Sequence, residues 1–226
     1  MLADVGSATI EEFGILNTVG EEALGPNADD PGVLADFELF TASGPSPNQV
    51  FVGIAHPGTF MLDPEGVVTS RFFEDSYRER NTASNILLKL DAGGTSVEGS
   101  EISTSHVEIL TYPSDALVAL GQRFSLALEI MPQPNMHVYA PGAELQDYRV
   151  ITLRIDPQPF VRILPIQYPE SEIYYFEPLD ERVPVYQKPF TLSQEVVPEV
   201  NAEAQVAFEG IDTLTLTGSL EYQACD

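Results

Sequence analysis

Thr213-Leu-Thr-Leu-Thr-Gly-Ser-Leu-Glu-Tyr-Gln-Ala-Cys-Asp226 is the stretch from which the fold of this chain is best inferred. Leu214, Leu216 and Leu220 alternate with hydroxyl-bearing and charged residues, the period of two that is typical of a half-buried strand. The predicted strand, residues 213–222, leads to Cys225, the single cysteine of the 226-residue chain. One cysteine excludes a disulfide within these residues and any metal site built from several cysteines.

The composition limits the classes of partner. The chain has 35 acidic and 10 basic residues and a net charge of −25. Such a surface repels phosphate backbones and anionic lipids, so we expect neither nucleic acid nor a membrane surface as a partner. A hydrophobic content of 43% is typical of a globular protein. No basic and apolar leader is visible at the N-terminus, and the sequence leaves a periplasmic and a cytoplasmic location equally open.

Short alternating segments separated by Pro- or Gly-rich turns fill the second half of the chain. They are Val107–Leu110, Phe124–Ile130, Val150–Ile155, Phe190–Val196, Ala204–Phe208 and Thr213–Tyr222. Several short strands at this spacing predict an all-β, immunoglobulin-like sandwich. The Gly- and Ser-rich residues 91–103 precede these segments and are typical of a linker between domains.

The first half of the chain has a different texture. Residues 5–18 predict a short helix, and Thr59–Leu62 and Val67–Phe73 predict a β-hairpin closed by a turn at Asp63–Gly66. Residues 77–90 predict a second helix. Its inward side is expected to consist of Ala83, Ile86, Leu87 and Leu90.

Three segments of this half resemble sequences of the alkyl hydroperoxide reductase/thiol-specific antioxidant (peroxiredoxin-like redoxin) family. They are Asp4-Val-Gly-Ser, Phe13-Gly-Ile and His56-Pro-Gly-Thr-Phe-Met-Leu-Asp-Pro-Glu-Gly-Val-Val68. The resemblance implies a partial α/β thioredoxin-like domain over residues 1–95. It also implies that Pro57 follows a cis peptide bond beside the active site, whereas a trans proline opening a strand is the alternative. Residues 1–95 contain no cysteine. We therefore expect either a truncated redoxin domain or one that never carried the thiol chemistry.

Four segments of the second half resemble the N-terminal domain of DsbD-type thiol:disulfide interchange proteins. They are Gly121-Gln-Arg-Phe-Ser-Leu-Ala-Leu-Glu-Ile130, Met136-His-Val-Tyr-Ala-Pro-Gly142, Tyr168-Pro-Glu-Ser-Glu172 and Leu216–Asp226. The resemblance covers residues 104–226 and implies a β-sandwich cut off at its C-terminal end. It makes Cys225 the first member of an exchanging cysteine pair. An aromatic loop covers such a pair, and Tyr174, Tyr175 and Phe176 are the candidates; packing of these aromatics in an edge strand is the alternative.

These observations predict a thiol–disulfide oxidoreductase or antioxidant redoxin-related protein. The β-sandwich would relay reducing equivalents through Cys225, and thioredoxin-like or other thiol–disulfide exchange proteins would be its partners. The alternative is a non-catalytic interaction module attached to the redoxin half. His56, His106 and His137 lack metal-site spacing, so no metal and no cofactor are expected. We also expect this polypeptide to be a fragment, inactive alone.

Overall fold

The computed structural model describes residues 6, 8–16, 52–53, 55–56, 58–74, 79–90 and 97–226. The chain groups into two compact units. Unit 1 contains residues 1–82, 119–123 and 198–210, and unit 2 contains residues 83–118, 124–197 and 211–226. Pro57 and the peptide bond that precedes it lie outside the described residues.

The described residues are mostly β-structure. The helices are α1 (Ala8–Glu12), α2 (Ala83–Lys89) and α3 (Ala202–Phe208), with 3-10 turns at Ala143–Gln146 and Glu177–Leu179. The strands are β1 (Gly58–Leu62), β2 (Val68–Phe73), β3 (Arg80–Asn81), β4 (Ser100–Ser103), β5 (Val107–Pro113), β6 (Gln122–Pro132), β7 (His137–Tyr139), β8 (Thr152–Ile155), β9 (Val161–Gln167), β10 (Glu172–Phe176), β11 (Glu181–Tyr186), β12 (Phe190–Pro198), β13 (Gly218–Glu221) and β14 (Ala224–Cys225). In the described part of the chain, no helix has the length and apolar character needed to span a bilayer.

Unit 1 contains the predicted hairpin. Strands β1 and β2 pair antiparallel, and the turn between them is closed by Asp63, whose side chain accepts from the Val67 amide at 2.8 Å. Gly66 has a φ of +85°, a conformation that glycine adopts without steric cost. The Phe60 ring packs edge-on against Phe13 and Phe73, with centroids 4.8 and 5.4 Å away. The hairpin prediction is therefore confirmed.

Of two other predictions in unit 1, one is confirmed in part and one is wrong. Helix α1 is shorter than residues 5–18, because Gly14 takes a φ of +68° and ends the helical turn. Residues 204–208 were expected to be a strand, but they belong to helix α3. The alternation of Ala204, Val206 and Phe208 suggested a strand, whereas Asn201 caps the helix by accepting from the Ala204 amide at 2.8 Å. The cap and the surrounding Ala and Glu residues favour helix.

Unit 2 contains two larger antiparallel sheets. One has the order β4-β5-β6-β12-β9, and the other has the order β10-β11-β7-β14. A single buried core receives side chains from strands of both sheets, as in a β-sandwich. Its residues are Val107, Ile109, Leu128, Ile130, Val138, Ala140, Ile151, Leu153, Tyr186, Phe190 and Leu192. The prediction that this half consists of packed antiparallel sheets is confirmed at this level.

The closing stretch contributes less strand than expected. Residues 213–222 were predicted to be one strand, but only Gly218–Glu221 form β13, which pairs with β8. Gly218 begins the strand where a Cβ atom would collide with the Arg154 carbonyl. Leu214, Leu216 and Leu220 are nevertheless half-buried between exposed neighbours. The alternation therefore reports burial correctly even where the backbone does not form a ladder.

Helix α2 lies on the outer face of the sheet that contains β6 and β12, through polar contacts. The helix is shorter than the predicted range 77–90, because residues 79–82 are not helical. Leu87, which was expected on its inward side, is 47% exposed. The fully buried residue is Asn85, which accepts from the Ser125 hydroxyl at 2.6 Å and donates to Glu195 at 3.2 Å. Lys89 forms an ion pair with the same carboxylate. Buried polar groups are tolerated when they are paired in this way.

Replacing Glu195 by Ala should therefore destabilise the protein strongly. The substitution removes the acceptor of Lys89 and Asn85 in a nearly buried position, and loss of one partner of a buried pair costs about 3–5 kcal/mol. Urea unfolding would show a lower midpoint at an unchanged slope. The exposed Glu101 offers the matched control, since Glu101→Ala should change the free energy of unfolding by no more than about 0.5 kcal/mol. Equal effects of the two substitutions would contradict this account of the helix.

Tyr186 contributes to the free energy of unfolding in a way that can be measured at alkaline pH. It stacks on Phe190 at 4.0 Å and donates to the Pro169 carbonyl at 3.0 Å. Burial, with Tyr168 adding to it, raises the pKa of Tyr186 to about 12. The folded state thus retains a proton that the unfolded state loses above pH 10, so this stability is intact below pH 10 and is lost as the pH rises toward 12.

The shift corresponds to about 2–3 kcal/mol. Unfolding free energies measured across pH 9–12 should therefore fall less steeply for Tyr186→Phe than for the wild type. Tyr175→Phe is the control, because the Tyr175 side chain is exposed. Identical slopes for the wild type and Tyr186→Phe would contradict the prediction.

Candidate functional site

The single cysteine lies on the end strand of the four-stranded sheet. Strand β14 pairs with β7, with Ala224 opposite Val138 and Cys225 opposite His137. Since side chains alternate between the faces of a strand, Val138 and Ala224 face the shared core, whereas Cys225 and His137 point to the other face. The Gln223 carbonyl accepts from the Tyr139 amide at 3.2 Å and keeps the two strands together just before β14.

Aromatic side chains surround the sulfur on that face. We call the set Cys225, His137, Tyr139, Tyr148 and Tyr174 the aromatic cluster. The His137 ring stacks on Tyr174 at 4.6 Å and meets Tyr139 edge-on at 5.1 Å, while Tyr139 stacks on Tyr148 at 4.1 Å. Cys225, Tyr148 and Tyr174 are partly buried against a small apolar core. Its residues are Tyr139, Ala143, Val183 and Val185.

Tyr139 contacts the cysteine directly. Burial raises the pKa of Tyr139 far above its usual range, and a side-chain hydrogen bond to Cys225 raises the pKa further. A hydrogen bond with Tyr148 adds to this shift. The Tyr139 hydroxyl therefore lies beside the sulfur and is shared between Cys225 and Tyr148. In this position it can stabilise negative charge that develops on the sulfur of Cys225.

Tyr148 is held in place by an acidic residue of the neighbouring strand. Its hydroxyl donates to Glu181 at 2.9 Å, and this hydrogen bond is the main reason why the pKa of Tyr148 is raised. Because Tyr148 also stacks on Tyr139, Glu181 fixes the cover of the cluster from one side. The backbone of the same segment is tied to the closing stretch, since the Arg149 amide donates to the Gln223 side chain at 3.0 Å.

His137 is the most buried polar member of the cluster. It is 4% exposed, and its Nε2 atom has no hydrogen-bond partner among the described residues. Burial lowers the pKa of His137, and the nearby Asp226 opposes that shift. The imidazole is consequently neutral at pH 7. An unpartnered buried nitrogen is uncommon in folded proteins and often marks a functional position.

The three predicted cover residues have different environments. They lie in strand β10, at the end of the four-stranded sheet, as the alternative had it, but only Tyr174 packs inward as that alternative also required. Tyr174 packs on His137 and belongs to the aromatic cluster. Tyr175 is 45% exposed and donates to Asp180 at 2.9 Å, and Phe176 is exposed as well. The structure therefore brings one of the three side chains to Cys225.

A shallow groove of about 870 Å³ runs beside the closing stretch. Its lining is mostly polar and carries both signs of charge. The lining residues are His106, Glu144, Asp147, Tyr148, Arg149, Tyr222, Gln223 and Ala224. The groove includes the residue that precedes Cys225, so a partner bound there would approach the sulfur along the last strand.

The other predicted site residues do not join the cluster. The predicted cis-proline, Pro57, lies outside the described residues, and the histidines His56 and His106 are not cluster members. Within the described ranges, no three His, Cys, Asp or Glu side chains group as the ligands of a metal ion would. Sequence reasoning did not single out His137 and Tyr139. Their spacing of two within Met136-His-Val-Tyr139 would place them on one face of a strand.

Comparisons with known proteins give no relative for this chain: no family model, no curated protein and no solved structure matches it.

Removal of the Tyr174 ring should expose the sulfur. Tyr174→Ala abolishes the stack on His137, and an aromatic pair contributes about 1 kcal/mol. That energy corresponds to roughly fivefold in an opening equilibrium, so alkylation of Cys225 by iodoacetamide should accelerate by about that factor. Tyr175→Ala, on the opposite face of the same strand, is the matched control and should react at the wild-type rate. Equal acceleration in both variants would mean that strand β10 as a whole, not the Tyr174 ring, limits access.

Proposed function

We propose that the sandwich unit is a thiol–disulfide exchange module whose reactive atom is the sulfur of Cys225. One observation carries the proposal: the sulfur lies half-buried in the aromatic cluster, packed against the core that contains Tyr139. A thiol that is partly covered and faces a hydrogen-bond donor has the environment in which reactive cysteines are found. An incidental thiol on an exposed strand end would not require this arrangement.

The chemistry is that of a single exchange step. The Cys225 thiolate attacks one sulfur of a partner's disulfide, the new S–S bond forms as the partner's S–S bond breaks, and the second partner sulfur leaves as a thiolate. Since the chain has one cysteine, a thiol from outside these residues must release the mixed disulfide. Reducing equivalents thus pass between two partners through Cys225.

The finer fold assignment is part of the same proposal. We take unit 2 to be an immunoglobulin-like sandwich of the DsbD N-terminal type, supported by the order of its antiparallel sheets and by the position of Cys225 at the end of the last strand. We take residues 1–95 to be part of a thioredoxin-like redoxin domain. That assignment rests on the sequence resemblance, and the described residues of this half contribute the two-stranded hairpin of β1 and β2 and the short helix α1. The residues of this half contribute no thiol of their own.

The partners that fit this chemistry are thioredoxin-like and other thiol–disulfide exchange proteins, and the process they would serve is antioxidant defence or disulfide reduction. The net charge of −25 favours partners whose docking face is basic, because complementary charge accelerates encounter. The groove beside the closing stretch offers the surface through which such a partner would reach the sulfur.

A second candidate function is a non-catalytic interaction module. The outer edge of the four-stranded sheet favours it, since β10 ends the sheet and exposes Ile173 (63%) together with Tyr175. An edge strand with exposed apolar side chains is a surface to which another chain can add a strand. In this candidate the partner binds β10, and Cys225 takes no part.

The proposal predicts that the folded protein forms a mixed disulfide with a thioredoxin-like partner faster than its isolated thiol does. The partner is a thioredoxin whose resolving cysteine is replaced by Ser and whose remaining cysteine is activated as a mixed disulfide with thionitrobenzoate. Release of thionitrobenzoate measures the rate. We expect the intact protein to react on the order of tenfold faster than the peptide Tyr-Gln-Ala-Cys-Asp, a difference equivalent to about 1.4 kcal/mol of contact energy.

The peptide is the matched control because it carries the same thiol as residues 222–226 without the cluster or the groove. The small disulfide 5,5′-dithiobis(2-nitrobenzoate) serves as a second substrate. Its reaction rate corrects for the difference in solvent exposure between the sulfur of the protein and that of the peptide. For the protein and for the peptide, the rate with the thioredoxin is divided by the rate with the small disulfide. If this ratio is no larger for the protein than for the peptide, the exchange proposal is wrong. The interaction module then becomes the better explanation of the fold.

A further inference from the structure

We propose that His137 is the proton-transfer partner of Cys225, taking the thiol proton when the sulfur attacks and returning a proton to the sulfur that leaves. This inference rests on the proposed exchange function and names the group that would activate its sulfur. It arises from the position of His137 opposite Cys225 in the pairing of β7 and β14.

The register places the two side chains together. Residues directly opposite each other in antiparallel strands have Cβ atoms about 4.5–5.5 Å apart and share one face of the sheet. Cys225 and His137 form such a pair. The sequence-adjacent pair, Ala224 and Val138, has the opposite orientation and enters the apolar core. A one-residue shift would reverse these faces, so the Cys225–His137 pairing is fixed by the burial of Val138.

The imidazole has a nitrogen available for this role. Nε2 of His137 is buried and has no hydrogen-bond partner among the described residues, Cys225 included, although the ring is held between Tyr174 and Tyr139. Proton transfer therefore requires the Cys225 thiol to rotate toward the ring when a partner disulfide binds. The two aromatic contacts fix the ring plane without using its nitrogens. A buried nitrogen without a partner carries a desolvation cost, and a proton arriving from the neighbouring thiol would give it a function.

The charged and titratable groups around His137 are few. The last strand contributes Cys225 and Asp226, β7 itself contributes Tyr139, and β10 contributes Tyr174. From β11 the apolar Val183 and Val185 face the same side. Asp226 stabilises the protonated ring, whereas burial favours the neutral ring and predominates. The resting imidazole is therefore neutral and able to accept a proton.

The step balances without another reactant. The Cys225 S–H bond breaks, its proton passes to His137, and the sulfur's electron pair forms the bond to the partner sulfur. The partner's S–S bond breaks, and its departing sulfur takes the electron pair of that bond together with the proton from the imidazolium. The products are a mixed disulfide, a free thiol and neutral His137. Asp226 stabilises the imidazolium that forms between the two proton transfers.

The test is the pH profile of Cys225 reactivity toward 4,4′-dithiodipyridine in the full chain, from pH 5 to pH 9. We expect the wild type to show an inflection below pH 6.5 from the histidine, and His137→Gln to lose it and to react roughly 10- to 100-fold more slowly at pH 7, a modest general-base effect. His56→Gln is the control, because His56 takes no part in the pairing of β7 and β14. It should keep the wild-type profile.

A second measurement guards against a folding defect in His137→Gln. The pKa of His137 is followed by NMR in the wild-type protein before and after Cys225 is blocked as its S-methyl disulfide. Coupled groups must change each other's titration, so the pKa of His137 should shift on blocking. An unchanged His137 pKa, or an unchanged pH profile in a folded His137→Gln variant, would overturn the inference.

The two proposals fail in distinguishable ways. A protein that exchanges with the thioredoxin partner faster than the peptide, but with a pH profile independent of His137, retains the proposed function and loses this inference. A protein that shows the His137-dependent profile toward dithiodipyridine and no preference for the thioredoxin retains an activated thiol. In that case the partner class, and not the activation, is wrong.

Discussion

The pairing of two short strands, His137–Tyr139 and Ala224–Cys225, determines everything that we infer about activity. One side of this ladder carries Val138 and Ala224 into the shared core. The burial of those two side chains fixes the register, and the register then fixes which residues meet on the other side. Cys225, His137 and Tyr139 are neighbours because their sequence neighbours are apolar and buried.

The cover over these residues depends on contacts of a different kind. Tyr148 is positioned by its hydrogen bond to Glu181 and by its stack on Tyr139, whereas Tyr174 is positioned by the pairing of β10 with β11. The cover therefore comes from two segments that are far apart along the chain. Each can be loosened by one substitution without altering the ladder that carries the sulfur.

Short sequence patterns predicted correctly those features of the fold that are determined by residues close together in the chain. The hairpin follows from the Asp63–Gly66 turn between apolar runs, and the alternation of Leu214, Leu216 and Leu220 gave their half-burial correctly. The strand predicted at residues 204–208 was wrong because Ala204, Val206 and Phe208 alternate as in a strand, whereas the Asn201 cap favours a helix. Capping is a contact between a side chain and a few backbone amides, and hydrophobic periodicity does not report it.

The site was only partly predictable for a related reason. Cys225 was singled out because it is the one thiol, and Tyr174, together with Tyr175 and Phe176, because the sequence resemblance implied an aromatic cover over a cysteine pair. His137 and Tyr139 lie almost ninety positions away, and their proximity to the sulfur results from long-range strand pairing. Asn85 on α2 shows the same limit, since its burial depends on Ser125 and Glu195 of distant strands. An amphipathic pattern predicts an apolar inward face and misses a polar one.

The exposed edge strand β10 has a consequence for the behaviour of the protein in concentrated solution. Ile173 and Tyr175 stand on an unpaired strand edge, the kind of surface through which copies of a protein can stack into aggregates. At neutral pH the net charge of −25 keeps copies apart by mutual repulsion. Acidification toward the isoelectric point near pH 4.1 removes that repulsion while the edge stays open. The acidic surface thus acts as a colloidal stabiliser for a sheet whose end strand β10 pairs on one side only within the described part of the chain.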